Sequence, residues 1–227
     1  MKLPAIHFNL EATVQSVTPD GDIQYQTVMN DATVAEEAEA GAVPLDQIKN
    51  AFASFKGLTG SGVISSRGLT KSAELKIPPG TEPQVASMME QMRDTISHLV
   101  LPLPEEPVGV GARWELKMPT KSQGMNVTET ASIEVVSIED DKIVTKGQIG
   151  QTAANQKIDS PMMPGIPINV TKMNETGTRE ATLDLSRLLP VSATVNGHSE
   201  SSMNMEMAGQ KQEMEIKTEM SIKAEAK

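Results

Sequence analysis

Ile6-His7-Phe8-Asn9-Leu10-Glu11-Ala12-Thr13-Val14-Gln15 is the stretch from which the fold is read. Apolar and polar residues alternate through it, the period-two pattern of a strand with one buried face. Thr18-Pro19-Asp20-Gly21 then supply turn chemistry, proline presetting φ and glycine free to take positive φ, before Ile23, Tyr25 and Met29 resume the alternation. The pair reads as an antiparallel hairpin, followed by an acidic, alanine-rich loop from Ala35 to Gly41.

From Pro44 to Lys56 the period changes. Leu45, Ile48, Phe52 and Phe55 fall on one side of a helix, with Pro44 in its first turn and Gly57 placed to end it. Strands are expected at Leu58–Ser66 and Leu69–Ile77, then a second helix. There Thr81 and Gln84 read as a capping box, and Val85, Met88, Met89, Met92, Ile96 and Leu99 recur at helical spacing, with the end near His98. Leu101-Pro102-Leu103-Pro104-Glu105-Glu106-Pro107 cannot be regular structure, because each proline removes a donor and pushes its predecessor out of the α region.

Beyond this connector, strands are predicted at Ala112–Met118, Met125–Ser137 and Lys142–Gln151, with Glu139-Asp140-Asp141 as a hairpin turn. A proline-rich loop, Pro161 to Pro167, carries Met162 and Met163. Thr178–Leu185, Val191–Met207 and Gln212–Ile222 follow as strands, the last two joined by Ala208 to Lys211. The expected fold is mainly β of the α+β class: a large curved antiparallel sheet or half-barrel whose concave face is covered by two amphipathic helices. One β-rich domain over 1–227 is preferred; tandem halves 1–100 and 108–227 around the connector 101–107 are the other arrangement. A shift of 120 positions superposes Gly57 on Gly177, Ser66 and Arg67 on Ser186 and Arg187, Leu69 on Leu189, and Ser72 and Ala73 on Ser192 and Ala193. Such spacing points to an internal duplication.

Composition narrows the function classes. The net charge of -10 over 227 residues is spread along the chain and repels phosphate backbones, so nucleic acid is not an expected partner. There is no cysteine, which removes disulfides and thiolate chemistry and suits a reducing cytosol or an exported bacterial protein alike. No run of apolar residues is long enough to span a bilayer, and Met1-Lys2-Leu3-Pro4 enters the first strand without a leader core. His7, His98 and His198 are isolated from metal-ligand or triad spacing. His98, near a helix C-terminus, reads as structural. Gly60-Ser61-Gly62 lacks the spacing of a nucleophile elbow, Gly109 and Gly111 lead into a strand rather than a phosphate-binding helix, and no cofactor is expected. Glu105, Glu106, Asp140, Asp141 and the acidic face of the last strand read as solvated surface.

The run Leu103-Pro104-Glu105-Glu106-Pro107-Val108-Gly109-Val110-Gly111-Ala112-Arg113-Trp114, with Thr182-Leu183-Asp184-Leu185 leading to Leu188-Leu189, resembles an uncharacterised group of exported bacterial proteins, often lipoproteins. The architecture also looks like the half-barrel of bacterial lipoprotein and lipid carriers. These resemblances imply a periplasmic or cell-envelope location for a chain whose leader and lipidation cysteine are removed. The leading expectation is therefore a non-enzymatic envelope protein that holds a lipid or other apolar small molecule in a cavity lined by Phe52, Phe55, Val85, Met88, Met89, Met92 and Ile96, since methionine walls adapt to irregular ligands. A structural or assembly role toward another envelope protein is the alternative. A third is copper(I) binding by Met203, Met205 and Met207, set against simple packing of one strand face.

Overall fold

In a computed structural model of the chain, residues 4–35, 45–97, 102–122, 125–153, 155–159, 167–207 and 210–227 are described. Residues 36–44, His98, Leu99, Leu101, the loop with Met162 and Met163, and the turn at Ala208 and Gly209 lie outside the described residues. The chain divides into two compact units, 1–103 and 104–227, with the break inside the proline-rich connector.

In the first unit β1 (Ile6–Val17), β2 (Ile23–Val34), β3 (Thr59–Ile64) and β4 (Thr70–Lys76) form an antiparallel sheet in chain order. The first turn behaves as its residues dictate. Thr18 N–H donates to the Asp22 carbonyl at 2.8 Å, the Thr18 hydroxyl accepts from Asp22 N–H at 3.0 Å, and Gly21 takes φ +84°. Helix α1 (Leu45–Ala53) joins β2 to β3 and stops as expected before Gly57, which adopts φ +80°. Helix α2 (Pro83–Ser97) follows β4. Its start differs from the capping box read from Thr81 and Gln84. The Thr81 hydroxyl donates back to the Pro78 carbonyl at 2.7 Å, and the Glu82 carbonyl accepts the first helical bond from Ala86. Pro83 then occupies the first helical position, where a missing N–H costs nothing.

Both helices bury their apolar sides against one face of this sheet. Phe52, Phe55, Met89 and Met92 pack with Met29, Ala32, Val34 and Leu58, and Phe55 and Met89 are 0% exposed. On that face Tyr25 lies across Gly62, its register neighbour on β3. A Cβ at position 62 would stand 2.5 Å from the Tyr25 hydroxyl and 2.6 Å from the Ser72 carbonyl oxygen. Gly62→Ala should therefore cost about 1–3 kcal/mol by overpacking, read as a lower urea midpoint. An unchanged midpoint would mean that the tyrosine does not occupy that space.

The second unit is a seven-stranded antiparallel sheet built from β5 (Arg113–Ser122), β6 (Met125–Glu139), β7 (Lys142–Ala153), β8 (Gln156–Asp159), β9 (Pro167–Asp184), β10 (Ser192–Met207) and β11 (Gln210–Glu225). The order is β11-β10-β9-β7-β6-β5, with β8 continuing beside β9 where β7 ends. The Gln156 side-chain amide extends the β6 ladder: its carbonyl oxygen accepts from Asn126 N–H and its nitrogen donates to the Asn126 carbonyl, both at 2.9 Å. The hairpin turn at Asp140 and Asp141 matches its reading, and Asp140 sits at φ +53°, which aspartate tolerates better than most residues. Alternate residues of β6, from Met125 to Val135, are buried. The expected class, mainly β and antiparallel with two helices, is what the chain adopts; its strands form two sheets, and neither closes into a barrel.

Four strands of the second unit, β6, β7, β9 and β10, pair in the same antiparallel order as β1 to β4, with a bulge at a similar place in each leading hairpin. In the first, Ser16 faces Gln24 and Val14 faces Tyr25, leaving Gln15 bulged; in the second, Ser137 faces Val144 and Val135 faces Thr145, leaving Val136 bulged. Gly62 opposite Ala73 likewise corresponds to Ala181 opposite Ala193. The elements inserted between the second and third repeated strands differ, α1 in one unit and β8 in the other.

Candidate binding surfaces

The seven residues expected to line an apolar cavity come together between α1, α2 and the sheet of the first unit. Four of them, Phe52, Phe55, Met89 and Met92, are buried, and Val85, Met88 and Ile96 pack partly buried against them. Phe8 closes an aromatic group over the helix side, with ring centroids 5.9 Å from Phe52 and 6.1 Å from Phe55, which are 5.1 Å from each other. Between the sheet and α2 lies a cavity of about 40 Å³ bordered by Leu10, Met29, Leu75, Met92, Arg93 and Ile96. Of the seven, only Met92 and Ile96 border it. A single water needs roughly 10–15 Å³, whereas pockets for drug-sized ligands run to about 300–1,000 Å³. As it stands, the space accommodates a few waters, and the side chains themselves fill the rest of the layer.

A polar belt crosses the buried face of the second unit. Glu129 on β6, Gln151 on β7, Glu175 on β9 and Ser199 on β10 stand directly opposite one another from strand to strand, and Arg179 lies four residues along β9 on the same face. Glu129 and Arg179 are each 5% exposed, and the Gln151 carbonyl oxygen is buried without a hydrogen-bond partner among the described residues. Burial pushes the Arg179 guanidinium down to about 10, and attraction to Glu129 opposes that shift. Apolar residues flank the belt. At one end are Met125, Val127, Ile168, Val170 and Met173; toward the other are Ala131, Ile133 and Ala181. This arrangement was missed from sequence, although a signal existed: Glu129 and Arg179 fall in phase with the apolar residues of their strands. Chemically the belt holds opposite charges out of water, an arrangement that is costly to leave half-made and that favours one register over others.

The methionines of β10 take part in packing. Met205 is buried, and Met203 packs partly buried against the cluster around Met125 and Val170, while the side chain of Met207 lies outside the described residues. Among the described residues no three His, Asp or Glu side chains converge as metal ligands. His7 and His198 are exposed, and the His198 Nε2 stands 3.4 Å from a Glu200 carboxylate oxygen.

The third surface is the free edge of β11. All sixteen residues of β11 pair with β10 without a register shift, and among the described residues nothing pairs with its other side. Ala226 N–H donates to the Val191 carbonyl at 2.8 Å, and those two residues stand opposite each other in the same register. Even-numbered residues of β11 therefore direct their backbone groups to β10, and odd-numbered ones direct theirs outward. The even side chains include Met214, Ile216 and Met220, exposed by 38%, 39% and 43%. The odd side chains are charged except for Ser221. Lys217 pairs with Glu200 of β10 at 2.9 Å, and hydrogen bonding to Lys217 holds the Glu200 carboxyl below its usual value.

Fold and surfaces together define a two-unit antiparallel β protein with one helix-covered sheet and one sheet that ends in a long, open edge. No protein-family model, curated protein or solved structure matches the chain. Among the described residues no helix is long and apolar enough to cross a membrane.

Proposed function

We propose that this chain is a non-enzymatic assembly protein of the bacterial envelope, engaging another polypeptide by strand addition along β11. The observation that carries this reading is the sixteen-residue unbulged edge with Met214, Ile216 and Met220 exposed beside it. Long exposed edges of this kind template pairing, and folded proteins ordinarily blunt them with charged side chains, bulges, prolines or a covering element. Among the described residues β11 carries charges but neither proline nor bulge, and no element covers it. Main-chain bonds along such an edge supply affinity, and alternate side chains select the partner. The envelope assignment draws on the resemblance of the Leu103–Trp114 run to exported proteins.

Glu219→Pro tests the reading. Position 219 points its N–H outward, so proline there blocks strand addition while sparing the bonds to β10. In an extract of the source cells the native protein should sediment in a complex larger than its own 24.4 kDa, and the variant should sediment as a single chain. A native protein that travels alone, or a variant that travels like the native one, overturns the proposal.

A second reading, storage of a lipid or similar apolar molecule beneath α2, is favoured by the cavity beside Met92 and Ile96 and by the adaptable methionines around it. It requires α2 to move outward on binding. Native mass spectrometry of gently purified protein should then show additional bound mass; a mass equal to the bare chain counts against it.

A further inference from the structure

Resting on the assembly reading, we infer that the partner of β11 is β11 of a second copy of this chain, paired antiparallel about a two-fold axis through Thr218. Strand register selects this pairing. Two copies joined along this edge place outward-facing odd residues opposite odd residues, because only those have backbone groups to exchange. With the axis through Thr218, Lys217 faces Glu219 of the second copy, Glu213 faces its Lys223, Lys211 faces its Glu225, and Glu215 faces its neutral Ser221. Symmetry makes each charge pair twice. On the other face of the strand the same register sets Ile216 against Met220 and Met214 against Ile222, joining the apolar side chains that β11 leaves exposed. Directly opposed residues in an antiparallel ladder are close enough for such pairs to attract and for like charges to repel.

Neighbouring registers fail on charge. An axis through Lys217 stacks that lysine on itself and Glu215 on Glu219; one through Glu219 stacks that glutamate on itself and Glu213 on Glu225. An axis through Ile216 opposes Glu213 to Glu219, and one through Met220 opposes Lys217 to Lys223 and Glu215 to Glu225. An axis through Ser221 avoids like charges but shortens the ladder to Lys217–Glu225 and leaves Met214 and Ile216 uncovered. The Thr218 axis alone combines full-length pairing with complementary charge. Self-complementary use of one patch by both copies is what a two-fold dimer requires.

Two experiments on the full-length protein test this. Since the chain has no cysteine, Thr218→Cys introduces a single thiol. On the axis, in a pair that exchanges no backbone bonds across the new junction, the two Cα atoms stand about 4.5 Å apart, within disulfide range. Thr218→Cys should oxidise to a covalent dimer much faster than Met214→Cys or Ser221→Cys. Equal rates, or faster linkage through position 221, overturn the register. Sedimentation supplies the second test. Glu213 and Lys223 face neutral Asn204 and Thr194 within their own chain, so exchanging their charges leaves the hairpin intact. Glu213→Lys and Lys223→Glu should each weaken dimerisation by about tenfold, and the double variant should restore it. A double variant no better than either single one overturns the pairing. Where Thr218→Cys stays reduced while Glu219→Pro still releases the chain from its complex, self-pairing falls and assembly with another partner stands. Where Glu219→Pro changes nothing, both fall.

Discussion

Phe55→Ala should destabilise the first unit by about 3–5 kcal/mol, among the largest effects available from a single side chain. The ring is 0% exposed at the meeting point of α1 and β2, packed against Phe52, Phe8, Met29 and Leu58. Truncation loses the transfer free energy of the ring and leaves a hole that the sheet cannot close by itself, because its strands are tied by their ladders. With a urea dependence of about 1–3 kcal/mol per molar, the midpoint should fall by more than about 1 M. Phe8→Ala serves as the comparison, since Phe8 is 41% exposed and should cost clearly less. Equal midpoints for the two variants would show that α1 does not dock as described.

The second large effect concerns the polar belt. Glu129→Ala removes a buried carboxylate whose attraction favours the charged Arg179 guanidinium and should destabilise the second unit, read as a lower urea midpoint. Replacing both residues by apolar ones, Glu129→Leu with Arg179→Met, should recover most of that loss, because the buried guanidinium is removed together with the carboxylate. Unfolding followed through Trp114, which stands opposite Ile133 on β5, reports this unit directly. A double variant as unstable as the single one would contradict the pairing. Since burial lowers the Arg179 guanidinium to about 10 on folding, the unfolded chain holds more protons between that value and the guanidinium's ordinary, higher one. This residue's contribution to stability therefore rises with pH across that window and is flat near neutrality.

Much of the architecture was legible from alternation and turn chemistry. The opening hairpin, both helices and the turn at Asp140 stand where their residues indicate, with ends displaced by a few positions. The start of β9 was missed for a definite reason. Ile168 and Val170 share a face, but a register shift near Thr171 carries Met173 onto that face as well, so the apolar residues change parity mid-strand. A similar shift near Asn30 moves the buried residues of β2 from Met29 to Ala32 and Val34. Periodicity counted over one window loses such strands, whereas the ladder between neighbours absorbs the extra residue. The number of sheets was equally hidden, since no local pattern states which strands become neighbours.

The candidate surfaces were only partly legible for a related reason. Apolar residues at helical spacing identified what Phe55 and Met89 would bury against, but not whether the layer would be hollow, which depends on how Tyr25 and Leu75 fill the opposing face. The alternating charges from Lys211 to Glu225 were visible and read as solvated surface. Their complementarity becomes meaningful only once β11 is known to be an edge and its odd residues are known to face outward.

Amide exchange along β11, followed residue by residue as protein concentration is raised, tests most directly whether this edge is open and used. In dilute solution the even-numbered amides from Gln212 to Ala224 should be protected and the odd-numbered ones from Lys211 to Glu225 should exchange freely, with the odd set slowing as copies associate. Odd amides already protected in dilute solution, or exchanging freely at every concentration, would contradict the account.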